Sequence, residues 1–159
     1  MAKRSKVIGV DNWVDTMSEL SWNSYNLSSM ALYDGASVLT DGIRDAINHI
    51  SPRSGGYGQY WAGISDEERQ GLLDGLGIAT HNNRDGKVDT KIGFEGYNTY
   101  KTKAYPKGHP NSMVARSIES GTSWLHKSPF IAPTVKRLKP EVVSAMQLVI
   151  DKYIKSKEI

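Results

Sequence analysis

Residues Met113 to Pro133 read MVARSIESGTSWLHKSPFIAP, and the fold turns on how this stretch is taken. An apolar segment ends in Glu119, passes through Ser120-Gly121-Thr122, and returns to the core at Phe130. Gly121 suits a backbone position with positive φ, while Pro129 and Pro133 bias the residues before them toward extended conformations around Phe130-Ile131. The pattern spells strand, turn, strand. Trp124 and Leu125 fall between the two segments on an expected exposed corner, where an aromatic more often meets a partner than solvent. The alternative is a tight turn over a satellite apolar cluster.

Working outward, the chain reads as helix, loop, short helix, hairpin, long basic loop, turn motif and final helix, with no internal repeat. From Asp11 to Ile50 apolar residues recur at Trp13, Met17, Leu20, Leu27 and Ala31, then at Leu32, Ala36, Leu39, Ile43, Ala46 and Ile50. This is helical spacing. Its phase shifts near Met30, and Gly35 and Gly42 each lower helix propensity by about 1 kcal/mol relative to alanine, so a bent or interrupted helix is expected. Ser51-Pro52 ends it.

Glycines 55, 56 and 58 make the segment from Arg53 to Tyr60 an expected mobile loop. Trp61 stands where a dinucleotide fingerprint needs its third glycine, and no Gly-Lys-Ser/Thr follows for a nucleotide triphosphate. Ser65 and Glu68 have capping-box spacing and open a short helix through Leu73.

A hairpin is predicted from Leu76–Ala79 and Val88–Phe94, the second arm alternating Val88, Thr90, Ile92 and Phe94 on one face. Its turn is His81 to Gly86, where Asp85-Gly86 supplies the positive φ that such a connection needs. The same residues superficially match a calcium loop. His81 and Ile92, however, occupy the positions that require aspartate and glutamate, so a turn is the better reading and no metal is expected.

The loop from Tyr97 to Ser112 interleaves Tyr97, Tyr100 and Tyr105 with Lys101, Lys103 and Lys107. Three readings fit it: tyrosine anchors with a lysine rim against a protein, stacking and phosphate contact with DNA in a channel, or plain solvent exposure. The chain closes with a helix in which Val142, Met146, Val149 and Tyr153 share a face, widened by Val143, Ile150 and Ile154. Pro140 is acceptable at its start. Each larger apolar side chain buried there is worth about 1.5–3 kcal/mol, so it should dock on the sheet.

At 159 residues the chain is long enough for one domain with a real core, expected over residues 11–159 behind a flexible basic arm at 1–10. Cysteine is absent, which excludes disulfides, thiolate catalysis and a cysteine zinc site. No secretory signal is legible and no run of about 18 apolar residues occurs, as a membrane span requires. Residues 1–80 carry six Lys/Arg against ten Asp/Glu, a net of −4, while residues 81–159 carry fourteen against seven, a net of +7. Opposed halves could steer head-to-tail contacts between copies, turn the basic side to phosphate, or simply be solvated.

Catalytic chemistry is not apparent. The histidines at 49, 81, 109 and 126 lack the i, i+4 spacing of a helical zinc motif, and Gly121-Thr122-Ser123-Trp124-Leu125 lacks the final glycine of a nucleophile elbow. No enzyme activity and no cofactor is expected.

Ala115–Ser123 followed by Ser128–Pro133 resembles the "E-x-G-T-S … P-F-x-x-P" core of the siphophage neck and tail-completion proteins. These are head-tail connectors of long-tailed bacteriophages related to the lambda minor tail protein Z. Glu119, Gly121, Thr122, Pro129, Phe130 and Pro133 carry that motif here. Ser51-Pro52-Arg53-Ser54-Gly55, Gly71-Leu72-Leu73 and Lys91-Ile92-Gly93-Phe94 extend the likeness over about residues 32–150, and it rests on order and spacing together. Pro140 departs from the pattern, standing where such proteins continue a helix.

The resemblance implies a structural virion protein, a homo-oligomeric ring of six copies, or alternatively twelve, on the phage axis. Adjacent head-closure and tail-terminator or tail-tube proteins would be its partners. It would be made in the host cytoplasm and end in the virion. Trp124 and Leu125, with Tyr97, Tyr100, Tyr105, Lys101, Lys103 and Lys107, are the expected contact residues. The alternative is a DNA-binding or packaging accessory protein, which the sequence pI near 9.0 and the lysine-tyrosine loop support. The expected architecture is α+β, an antiparallel sheet of three or four strands from residues 76 to 133 packed against the long first helix and the last one.

Overall fold

The computed structural model describes residues 10–56 and 58–157, with side chains over 23–56 and 58–156. The proposed arm at 1–10 therefore lies almost wholly outside the described residues. Helix α1 spans Val10–His49, α2 Asp66–Gly75, α3 Asn111–Ser120 and α4 Ile131–Lys157. Between α2 and α3 lie four three-residue strands, β1 Leu76–Ile78, β2 Asn82–Arg84, β3 Lys87–Asp89 and β4 Ile92–Phe94. The class is α+β.

The strands do not form one sheet of three or four. They make two antiparallel pairs, β1 with β4 and β2 with β3, stacked end to end along one long hairpin. The Ala79 N–H donates to the Lys91 carbonyl at 2.7 Å between them. The turn is tighter than His81–Gly86, because the ladder runs out to Arg84↔Lys87. Asp85 and Gly86 alone form it, with φ of 51° and 75°, the pair of positive values that a two-residue hairpin turn demands. Val88, Thr90, Ile92 and Phe94 are half-buried and Lys87, Asp89, Lys91 and Gly93 exposed, so the predicted alternation holds.

Met113–Ser120 is helix and not strand, and the second expected strand is the start of another helix. Within α3, Val114, Ala115 and Ile118 are buried at i, i+1, i+4 spacing, one face of a helix, whereas a strand would turn Ala115 away from Val114 and Ile118. Pro133 lies in the first turn of α4, where its missing N–H has no intrahelical acceptor to lose. The last helix thus begins nine residues before Pro140, which it carries in its interior.

Helix α1 runs uninterrupted through both of its internal glycines. Their role is close approach: a Cβ on Gly35 would meet Met146, and one on Gly42 would meet Leu138 and Thr134. Rising numbers on α1 meet falling numbers on α4, so the two helices pack antiparallel.

The core gathers Ile43, Ile47 and Ile50 of α1, Ile64, Leu72 and Leu76, the buried residues of α3, and Leu125 and Phe130. Two polar devices lock the elements around it. The Ser65 hydroxyl accepts from the Glu68 N–H at 3.2 Å while Glu68 accepts from the Ser65 N–H at 2.9 Å and pairs with Arg53. Arg69 donates to the Ile47 carbonyl and, at 2.6 Å, to that of Ile50, tying α2 to the end of α1, where the Ile47 carbonyl also accepts from the Ile50 N–H at 3.3 Å. The glycine segment expected to be mobile is pinned at its base, where Ser54 and Ala62 exchange backbone bonds of 2.8 and 2.9 Å.

Candidate partner-binding surface

The motif residues of the α3–α4 connection form one bonded joint. Glu119, in the last turn of α3, reaches the first turn of α4: its Oε2 accepts from the N–H of Phe130 at 2.7 Å and of Ile131 at 2.9 Å, and its Oε1 from that of Ala132 at 2.9 Å. Three helix-start donors thereby find an acceptor, with a negative charge at the positive end of the helix dipole. Burial pushes the Glu119 carboxyl up, but the bonds from Ile131, Ala132 and Phe130 outweigh it and hold the group below the usual carboxylate range.

Gly121 ends α3 with φ of 74°, and its N–H donates to the Ser117 carbonyl at 2.9 Å. The Thr122 N–H donates to the Leu125 carbonyl at 2.9 Å, and its Oγ1 accepts from the Leu125 N–H at 3.0 Å. The Ser128 N–H closes back to the Ile118 carbonyl at 2.7 Å. Pro129 and Pro133 are exposed, flanking the buried Phe130.

This joint separates the two residues assigned to an exposed corner. Trp124 is 56% exposed, whereas Leu125 is only 4% exposed and belongs to the core. Leu125 is therefore removed as a contact residue: the Thr122 turn directs alternate side chains to opposite sides. In its place the structure brings up residues that sequence reasoning missed. The Trp61 N–H donates to the Trp124 carbonyl at 2.9 Å and the His126 N–H to the Trp61 carbonyl at 2.8 Å, zipping the two segments together. Tyr60 packs on His126 at 5.1 Å between ring centroids. Tyr60, Trp61 and Trp124 are all exposed on this zipped pair. The one available signal was two adjacent aromatics directly after a glycine-rich loop, the kind of segment that presents side chains for contact.

The lysine-tyrosine loop is closed at its base, where the Asn98 N–H donates to the His109 carbonyl and Asn98 Oδ1 accepts from the His109 N–H, both at 2.9 Å. Gly108 makes this possible, since a Cβ there would stand 1.9 Å from the Asn98 carbonyl oxygen. His109 stacks with Tyr100 at 5.7 Å and Tyr105 at 4.5 Å. Tyr97, Tyr100 and Tyr105 remain exposed, as do Lys101, Lys103 and Lys107. No hydrogen bond or ring contact among the described residues joins this loop to the Trp124 cluster. The predicted contact residues thus occupy two bonded groups, each showing aromatic rings.

No described cluster of His, Asp or Glu has the arrangement to hold a metal ion, and no described helix is long and apolar enough to cross a membrane. Comparison with family models, curated proteins and solved structures finds no match to the chain.

Proposed function

We propose that the chain is a structural virion protein of a long-tailed bacteriophage, a tail-completion connector that forms a ring at the head-tail junction. The observation that carries this reading is the Glu119–Pro133 joint. Glu119 and Phe130 of the connector-like motif bond to each other, Thr122 of the same motif fixes the turn through Leu125, and this joint holds Trp124 outward beside Trp61 and Tyr60. A rigid framework presenting exposed aromatics suits a part that works by supplying complementary surfaces, since such anchors carry much of an interface's affinity. Neighbouring head-closure and tail-terminator or tail-tube proteins would meet those surfaces, and the chain would act without catalysis. It would assemble in the host cytoplasm and remain in the virion.

Silencing the gene during infection tests the reading. Filled heads and finished tails should accumulate separately, and added protein should join them. Joined, infectious particles in normal number would refute it.

The exposed Lys101, Lys103 and Lys107 beside Tyr97 and Tyr100 favour a second reading, a DNA-binding or packaging accessory. That reading requires binding to free DNA that weakens steeply with salt, and heads that fail to fill when the protein is missing.

A further inference from the structure

We propose that the outward face of α1 on one copy binds the outward face of α4 on the next, an acidic-on-basic contact repeated around the ring. The inference rests on the ring reading above and adds the surfaces that make it. Helix α1 carries six Asp/Glu against one Arg, a net of −5, and α4 carries six Lys/Arg against two Asp/Glu, a net of +4. Inside one copy the helices meet through Gly35 and Gly42 against Met146 and Leu138, and the exposed charged side chains described below lie outside that contact.

On α1, Asp34, Asp41 and Asp45 are exposed, and their spacing of seven and four lines them along one stripe. Arg44 pairs with Asp41 at 2.7 Å and His49 lies 3.5 Å from Asp45, while Asp34 has no ion-pair partner among the described residues. On α4, Lys136, Arg137, Lys139, Lys152 and Lys155 are exposed, and none forms an ion pair with a described residue. Each face also has apolar side chains standing in solvent: Met30 and Tyr33 on α1, Val143, Leu148 and Ile154 on α4.

Apolar contacts inside a charged margin are the usual composition of an interface between proteins. Pairing α1 with α1 would set acid against acid, and α4 with α4 base against base. Only α1 against the α4 of another copy is complementary; made head to tail rather than reciprocally about a two-fold axis, that contact uses both faces of every copy and can close into a ring.

Sedimentation of the full chain tests this with two charge-reversed variants, D34K/D41K and K136E/R137E, whose unchanged melting curves would show that the fold is kept. Wild type should associate at low salt and weaken by about tenfold or more in high salt, and each variant alone should lose association by a similar factor. Mixed in equal amounts, the variants should associate again, because each copy then offers the charge that the other lacks.

A wild type that stays monomeric at low salt, variants that associate unchanged, or a mixture that does not recover would each overturn the proposal. Imaging of assembled necks separates this from the ring reading. A ring built from either variant alone sinks the interface and leaves the ring, whereas a single copy per neck removes the ring itself.

Discussion

Gly42 lies so close to Leu138 that a Cβ on it would stand 2.0 Å from Leu138 Cδ1, with Thr134 Cγ2 at 3.3 Å on the other side. Leu138 and Thr134 are both buried, so neither can move aside freely. Gly42→Ala gains about 1 kcal/mol of helix propensity but overpacks the contact at about 1–3 kcal/mol, for a net loss of stability. Gly35→Ala should cost less. Its Cβ meets Met146 Cγ at 2.8 Å, and that flexible chain borders an open groove of about 360 Å³ between α1, α4 and the hairpin. Met146 can shift toward that groove and Val142 Cγ1, at 3.2 Å, need give only a few tenths of an ångström, so the loss should be smaller than at Gly42. Urea unfolding of the two variants checks the contrast, and equal effects would refute it.

Glu119 links stability to pH. Its folded carboxyl titrates below the ordinary carboxylate range, so its contribution is present above the unfolded pKa and lost as pH falls through the lower folded value. Glu119→Gln keeps one acceptor oxygen but loses the charge and the second acceptor, and should cost about 0.5–2 kcal/mol at neutral pH, as loss of a helix cap does. The gap between wild type and variant should close as the solution is acidified. A gap in melting temperature that is the same in acid as at neutral pH would show that the charge is irrelevant.

Phe130 is 4% exposed and meets Phe94 edge-on, with ring centroids 6.2 Å apart at 62°. It joins the start of α4 to β4. Phe130→Ala should cost about 3–5 kcal/mol by emptying that site, and Phe130→Leu considerably less. An unchanged melting curve for the alanine variant would disprove the placement.

Local chemistry was legible wherever it depended on neighbours in sequence. The Ser65/Glu68 capping box, the Asp85-Gly86 turn, the end of α1 before Pro52 and the positive φ of Gly121 all follow from residues within a few positions of one another. The errors came where tertiary contacts decide. The strand reading of Met113–Ser120 followed the Gly121 turn and the prolines over the helical spacing of Val114, Ala115 and Ile118, and α4 starts at Ile131 because Glu119, eleven to thirteen positions upstream of its donors, caps it. Gly35 and Gly42 read as weak points because the helix packed against them lies about a hundred residues away in sequence. Of the candidate contact surface, Trp124 and the tyrosine loop could be named, but Tyr60 and Trp61 join Trp124 only through pairing across the fold.

Trp124 and Leu125 are neighbours with opposite fates, and this gives the sharpest test of the contact surface. Leu125 is core, so Leu125→Ala should cost about 2–5 kcal/mol and lower the melting temperature. Trp124 is 56% exposed, so Trp124→Ala should leave melting nearly unchanged while removing an aromatic anchor. Anchors of this kind contribute more than about 1–2 kcal/mol, so binding should weaken by about tenfold. The fraction of joined particles and the infectious yield should fall with it. Tyr105→Ala is a less clean probe, because Tyr105 also packs on His109 at 4.5 Å and its loss should loosen the loop. Plaque titres and electron microscopy of particles carrying Trp124→Ala supply the measurement. If that variant folds, joins heads to tails and yields phage as wild type does, the Trp124 cluster is not the partner contact that the proposed connector function requires.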